Sequence, residues 1–394
     1  MAEDPKDWDI ATKLIRGGLA RSQYMETAEA LYLTQGFTYD SAEGADRRFS
    51  GEDPGFVYSR FNNPTVKMFE DRLALLEGAE VCRAQATGMA SINASLMGLV
   101  KAGDHVVAGR ALFGSCRWLI AEWLPRFGVE TTFVDATDLK AWEAAMRPNT
   151  KAVLIETPSN PVLEITDIRA VSEMAHAVGA KVIVDNVFAT PIFQQPLKLG
   201  ADIVVYSATK HIDGQGRVLG GAILTSEAIA EECYRDMLRH TGPSLSPFNA
   251  WVLVKGLETL DLRVRRQTDT AFALANVLAE HKKTKSVLYP FRHDHPGYTV
   301  AKSQMTGGGT VVALDLGSRE AAFKFLNALE IVDISNNLGD AKSMATHPPT
   351  TTHRSVPEDQ RPSLGVVEGG VRLSVGLESL DDLTRDLTRA LDQA

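Results

Sequence analysis

The sequence predicts an α/β protein, with a large domain on a mainly parallel sheet followed by a smaller C-terminal α+β domain. Three observations predict it. Short apolar runs recur between about residues 80 and 225, amphipathic helical patterns fill most of the gaps, and after about residue 245 a long helical stretch replaces that rhythm.

The elements follow in chain order. Residues 1–60 read as an N-terminal arm; within it "DSAEGADRRFSGEDPGF", just before Tyr58, is polar and Gly-rich. It reads as a mobile arm that orders against a neighbouring subunit, and equally as a disordered linker. "NNPT" at Asn62 is a turn into a helix with proline at or near its first position. Val66, Phe69, Leu73 and Leu76 then share one helical face, and Gly78 stops the helix. The domain from 61 to 250 contains the runs "HVVAG" from His105, "TTFV" from Thr131, "AVLIET" from Ala152, "KVIVDN" from Lys181, "DIVVYS" from Asp202 and "GGAIL" from Gly220. Between two of them Ile168, Val171, Ala175 and Val178 line a helix that ends at Gly179. The domain from 251 to 394 begins within one long helical stretch, from Phe248 to Lys282, in which "RVRRQ" at Arg263 reads as a solvated face. "GTVVALDL" from Gly309 is a strand, and a final helix runs from Leu380.

Composition excludes several functions. A net charge of −9 with no basic stripe argues against nucleic acid as a partner. No apolar run approaches the length of a membrane span and the N-terminus lacks a signal-peptide layout, so a cytoplasmic protein is expected. Cys82, Cys116 and Cys233 are too scattered for a disulfide framework or a zinc cluster. "RHDHPG" at Arg292 has an HxH spacing without an evident third ligand, and reads as a polar loop. "GGG" at Gly307 is a turn before a strand.

The chemistry enters at "DIVVYSATKHIDGQG", where Lys210 follows a buried-looking strand after three small residues. A neutral amine there suits Schiff-base chemistry with pyridoxal 5′-phosphate, although a lone lysine reads as well as an exposed loop residue. Asp185, at the end of "KVIVDN", can keep a pyridine nitrogen protonated. Gly88 and Met89, opening a helix in "ATGMAS", can offer backbone N–H groups to a phosphate, with the hydroxyls of Ser207 and Thr209.

"YSRFNNPT", "ATGMAS", "ETPSNP", "VDNVFATP", "SATKHIDGQG" and "GGVRLSVGLE" occur in the order and spacing of the Cys/Met-metabolism family of pyridoxal-phosphate enzymes, and the chain resembles that family over nearly its whole length. The resemblance implies the aspartate-aminotransferase-like fold (fold type I). It implies Lys210 as the Schiff-base lysine and general base, Asp185 as the pyridinium partner, and Gly88, Met89, Ser207 and Thr209 as the phosphate cup. Tyr58 and Arg60 match positions that reach the phosphate in a neighbouring subunit, which implies a homotetramer built as a dimer of dimers with shared active sites. Arg372 matches the residue that grips the substrate α-carboxylate, with Asn160 and Asn337 beside it. From pattern alone Arg372 reads equally as an edge-strand residue, and Cys116 as a small buried hydrophobe.

Two departures narrow the branch. Phe113 in "LFGSC" stands at the cofactor-stacking position where lyases of the family carry Tyr, so it can stack but cannot move a proton. That favours an acyl-homoserine ester, whose departing carboxylate has less need of an acid than a thiolate has. "DGQGRVLGG" from Asp213 and "NLGDAKSMATHPPTTTH" from Asn337 also resemble the branch that takes O-succinylhomoserine and sulfide to homocysteine. Cystathionine γ-synthase, O-acetylhomoserine sulfhydrylase and methionine γ-lyase chemistries remain alternatives. A pyridoxal-phosphate carrier without catalysis would have no use for Arg372, Asn160 and Asn337.

Overall fold

The structure, a computed structural model, describes residues 4–354 and 356–394. Seven strands form the large sheet: β1 (Val81–Gln85), β2 (His105–Gly109), β3 (Glu130–Val134), β4 (Thr150–Glu156), β5 (Lys181–Asp185), β6 (Ile203–Ser207) and β7 (Gly221–Thr225). Their order across the sheet is β1, β7, β6, β5, β4, β2, β3. The five strands from β3 to β6 in that order are parallel, while β7 runs antiparallel to both β6 and β1. Strand β1 escapes a search for apolar runs because "VCRAQ" carries Arg83 and Gln85.

Both faces of this sheet are covered, which is why its central strands β4, β5 and β6 read as apolar runs without alternation. Val204 and Tyr206 of β6 share a core with Phe69 and Leu73 of the helix Pro64–Glu77. Ile203 and Val205, pointing the other way, pack with Ile120 and Leu124. The chain passes from β2 outward to β3, then crosses to β4 on the other side of β2 and proceeds through β5 to β6. Such a reversal opens a crevice beyond the carboxyl ends of the strands.

A second sheet contains β8 (Ser286–Leu288), β9 (Val311–Asp315), β10 (Asp333–Ile334), β11 (Met344–Thr346) and β12 (Gly370–Ser374), ordered β10, β11, β12, β9, β8. Strand β12 lies between β11 and β9, so Arg372 is on an interior strand rather than an edge. The helices Leu260–Glu280, Arg319–Asn327 and Leu380–Asp392 share a core with this sheet through Leu274, Phe325 and Leu387.

Two expectations need correction. The long helical stretch is two helices, Pro247–Leu257 and Leu260–Glu280, separated at Thr259, whose φ of −114° and ψ of 6° leave the helical region. Arg263 is buried at 5% exposure, although its neighbours Arg265 and Arg266 are exposed. Its guanidinium donates to the carbonyl of His211 (2.8 Å), next to Lys210 in the chain, and to that of Gly256 (2.8 Å). One turn along, Gln267 Nε2 donates to the carbonyls of Asp340 (2.7 Å) and Val375 (3.0 Å) at the end of β12. A run of positive charge reads as solvated only while its carbonyl partners, contributed by distant segments, are unknown.

The arm is more ordered than its composition suggests. Ala42–Ser50 is a helix, capped by Ser41 at its start and by left-handed Gly51 at its end, with no buried residue. Further along, Asn63 caps the helix Pro64–Glu77: its Oδ1 accepts from the amide of Thr65 at 2.9 Å, and its Nδ2 donates to Tyr32 O and Ser59 Oγ, each at 2.9 Å. Buried Arg72 donates to Glu29 Oε1 at 2.7 Å and to Gly17 O at 2.8 Å. One helix thus carries both the cap and the ion pair that hold the arm. Asn63→Ala should cost about 0.5–2 kcal/mol in denaturant unfolding and should speed proteolytic cleavage in the arm. Unchanged cleavage would show that Arg72 and the other contacts of residues 29–32, with Thr65 and Trp251, secure it without the cap.

Candidate active site

The carboxyl ends of β2, β4, β5 and β6 open on one cleft of about 240 Å³. Phe113 follows β2, Glu156 ends β4, Asp185 ends β5 and Ser207 ends β6, with Lys210 three residues on. Arg372 of β12 closes the cleft from the second sheet, alongside Asn336 and Leu338. Seven polar residues predicted from sequence, Asn160, Asp185, Ser207, Thr209, Lys210, Arg372 and Asn337, meet here; Asn337 does so by accepting from Lys210 Nζ at 2.5 Å. Gly88, Met89 and Phe113 line the same cleft.

Tyr58 and Arg60 do not join it. The Arg60 guanidinium lies over the rings of Tyr58 and Phe61, at 5.4 and 4.7 Å from their centroids, and Arg60 lines a separate surface pocket with Arg83 and Arg239. His293 and His295 lie elsewhere too: His295 Nδ1 accepts from the amide of Gly297 at 3.0 Å, as in a turn.

Electrostatics make the cleft unusual. Lys210 is largely enclosed, and desolvation together with the charge of Arg372 brings its amine down to about 8. At neutral pH a useful fraction of it is an uncharged nucleophile. Arg372 is 2% exposed; its Nη1 donates to Asn160 Oδ1 at 3.0 Å, and its Nη2 to the carbonyls of Asn336 (2.8 Å) and Asn337 (3.1 Å). Its Nε is buried without a partner among the described residues. A buried guanidinium with a spare donor suits a bidentate carboxylate.

Two carboxyls share the floor. Glu156 and Asp185 are register partners on adjacent parallel strands. Burial raises both, and the charge of Asp185 raises Glu156 further. The Asp185 side chain accepts from the amide of Val187 at 3.1 Å and has no cation beside it among its described contacts. A buried carboxylate in that state calls for a cationic ligand. The thiol of Cys116, in contact with Met89 Sδ at 3.8 Å, is pushed up by burial and by both carboxyls, which makes it a packing group rather than a nucleophile.

At the other end the helix Gly88–Met97 begins. Thr87 caps it by accepting from the amide of Ala90 at 3.0 Å, and the amides of Gly88 and Met89 have no partner among the described residues. The helix start lies against the sheet only because two glycines permit it. A Cβ on Gly88 would stand 2.5 Å from Ser207 Cβ, and one on Gly221 would stand 2.1 Å from Thr87 O. Free amides, a helix N-terminus and the Ser207 hydroxyl form an anion cradle. Thr209 contributes less directly, since its hydroxyl is exchanged with the backbone of Gly220 at 3.1 and 3.2 Å.

Glu156 is the site residue that sequence reasoning missed. The signal was present: like "KVIVDN", the run "AVLIE" ends in a carboxylate exactly where the strand ends.

Comparison with known proteins agrees with this geometry. The model of the Cys/Met metabolism PLP-dependent enzyme family matches residues 11–392. A Mycobacterium tuberculosis protein named O-succinylhomoserine sulfhydrylase is 53% identical, over 97% of this chain and 95% of its own. A Pseudomonas aeruginosa protein of the same name is 46% identical, over 98% and 99%. Among solved structures, a Campylobacter jejuni protein provisionally assigned as an O-acetylhomoserine (thiol)-lyase superposes with a TM-score of 0.94 at 30% identity, covering 98% of this chain and all of that one. It contains N′-pyridoxyl-lysine-5′-monophosphate.

The residues present fit pyridoxal phosphate. The unpartnered amides of Gly88 and Met89 suit its phosphate, the uncompensated Asp185 its ring nitrogen, Phe113 its ring face and the Lys210 amine its aldehyde. Two outcomes follow. Gly88→Ala should force Ser207 away and weaken pyridoxal-phosphate binding by about tenfold or more, read by titrating the apoprotein; undiminished affinity would place the phosphate elsewhere. Covalent capture of pyridoxal phosphate by the apoprotein should accelerate between about pH 7 and 9, as Lys210 loses its proton, and then level off. A rate flat across that window, followed by stopped-flow absorbance, would contradict a lowered lysine.

Proposed function

The chain belongs to the Cys/Met metabolism PLP-dependent enzymes, and we propose that within this family it carries out a γ-replacement, converting O-succinyl-L-homoserine and sulfide to L-homocysteine and succinate. The observation that carries the chemistry is the convergence of Lys210, Asp185 and Arg372 on one cleft from three different strands or strand ends. The choice of ester and acceptor is supported by the names of relatives that match nearly end to end at 53% and 46% identity.

Pyridoxal phosphate, when bound, supplies the electron-withdrawing ring that makes carbon-bound protons of an amino acid labile. The chain supplies the rest. Arg372 binds the substrate α-carboxylate through its spare Nε and an adjacent donor, and Asn160 Oδ1 keeps the guanidinium plane in place. That grip turns the α-hydrogen toward Lys210, which removes it and then serves the β-carbon as base and acid. Asn337 Oδ1 aims the free lysine amine. Asp185 would hold the ring nitrogen and, as a carboxylate, would favour its protonated form. In net terms the γ C–O bond breaks, the γ C–S bond forms, and the pair of electrons from the broken bond leaves with succinate.

Phe113 gives the ring an apolar face that moves no proton, and Ile92, Phe188 and Leu338 keep the cleft walls apolar, which limits competition by water. A departing carboxylate needs no acid at that position, whereas a departing thiolate gains from one. We assign Tyr58 and Arg60 to the phosphate site of a neighbouring copy, in a homotetramer made of two dimers, since in their own chain they stand apart from the cleft. No helix among the described residues is long and apolar enough to cross a membrane, and we place the enzyme in the cytoplasm.

The test is an assay that resolves products by mass. Holoenzyme given O-succinylhomoserine with equal concentrations of sulfide and cysteine should yield mainly homocysteine. Mainly cystathionine would make cysteine the acceptor, and 2-oxobutanoate formed from methionine at a comparable rate would make the protein a lyase.

A further inference from the structure

Glu156 has the geometry of a clip. It is 7% exposed at the last position of β4, and each of its two oxygens is engaged by a different loop. Oε2 accepts from the amide of Phe113 at 2.8 Å, at the mouth of the loop that follows β2. Oε1 accepts from the amide of Asn160 at 2.7 Å, four residues along its own chain. Phe113 is the wall against which a ring would stack, and Asn160 is the residue that fixes the Arg372 guanidinium at 3.0 Å.

We propose that Glu156 is a positioning residue, which ties the stacking wall at Phe113 to the carboxylate clamp of Asn160 and Arg372 and so fixes the angle between ring and substrate α-carboxylate. This inference rests on the reading that Arg372 receives an α-amino acid; it does not depend on which acyl ester or sulfur acceptor is used.

The chemistry of the side chain supports a requirement for a carboxyl. Two N–H groups arrive from separate loops, so two acceptor atoms at the end of one side chain are needed. Glutamine offers one acceptor and meets the second N–H with its own NH₂. Aspartate keeps both oxygens but is one methylene shorter. Removing the bond from Asn160 also leaves a buried backbone donor unsatisfied, which costs more than the bond itself gave.

The groups facing Glu156 are Asp185 on β5, Arg372 on β12 and Cys116 below Phe113. Lys210 and His353 stand around Arg372. Burial and Asp185 push the Glu156 carboxyl up while Arg372 and the two amides pull it down. The negative charge that a protonated ring requires is thereby left to Asp185. Each oxygen of Glu156 is held by a backbone amide of a loop that carries a site residue, which marks it as a positioning group rather than a general base.

Glu156→Gln and Glu156→Asp, purified as holoenzymes, provide the test. The first readout is the visible circular dichroism of the bound cofactor, which reports ring orientation before any substrate is added. The second is its change on titration with L-homoserine, which carries the α-carboxylate but no leaving group. Both variants should keep their cofactor, show a reduced visible dichroic band, and bind L-homoserine about tenfold to a hundredfold more weakly. In turnover the loss should fall on KM more than on kcat. Wild-type dichroism with L-homoserine affinity within about twofold would overturn the proposal, and so would loss of cofactor from a folded Glu156→Asp. Should Glu156→Gln not fold, Glu156→Asp gives the same two readouts. Failure of the sulfide assignment would leave both spectroscopic results untouched.

Discussion

The floor of the cleft depends on four strands, β2, β4, β5 and β6, running in the same direction. Parallel pairing brings the residue that follows each strand to a common edge, and the change of direction between β3 and β4 in the winding leaves that edge uncovered. Phe113, Glu156, Asp185 and Lys210 are separated by up to about a hundred residues in sequence, yet each stands at the end of a strand or a few residues past it. An antiparallel sheet of the same strands would send half of them to the opposite edge.

That shared edge concentrates charge where water is scarce. Two cations, Lys210 and Arg372, and two carboxyls, Asp185 and Glu156, share the cleft, all four at least partly withdrawn from solvent, with Arg372 acting on Glu156 and no cation beside Asp185. Isolated burial of any one would be prohibitive. Together they divide the cost: lysine gives up part of its proton affinity, the carboxyls retain theirs longer than usual, and arginine remains charged with a donor unspent. The same imbalance makes the cleft receptive to a molecule bearing a phosphate, a ring nitrogen and a carboxylate.

Much of this was legible in the sequence, because strand ends announce themselves. "KVIVDN" and "DIVVYSATK" point to Asp185 and Lys210 only jointly, because a strand-end carboxylate, a lysine three residues past a strand and the helix start in "ATGMAS" occur in one order. Glu156 went unread although "AVLIE" has the same form, since nothing local distinguishes a strand-end carboxylate that faces the cleft from one that faces solvent. Arg263 was misread for the complementary reason. Its partners are carbonyls of residues 211 and 256, and backbone acceptors leave no trace in composition. Strand β1 was hidden by its own polar members, and the arm's helix at Ala42–Ser50 by having no apolar face to betray it.

The turn of helix from Arg263 to Gln267 has a mechanical meaning. At one end it holds the carbonyl next to Lys210, and at the other it holds the carbonyl of Val375 three residues beyond Arg372. An α-helical turn is among the stiffest spacers a chain can make, with a rise of about 5.4 Å. Like a gauge block between two jaws, it sets the gap between amine and guanidinium in the absence of any ligand. The two halves of the site are therefore toleranced by a part that touches neither cofactor nor substrate, and little ordering entropy is left to be lost when they arrive.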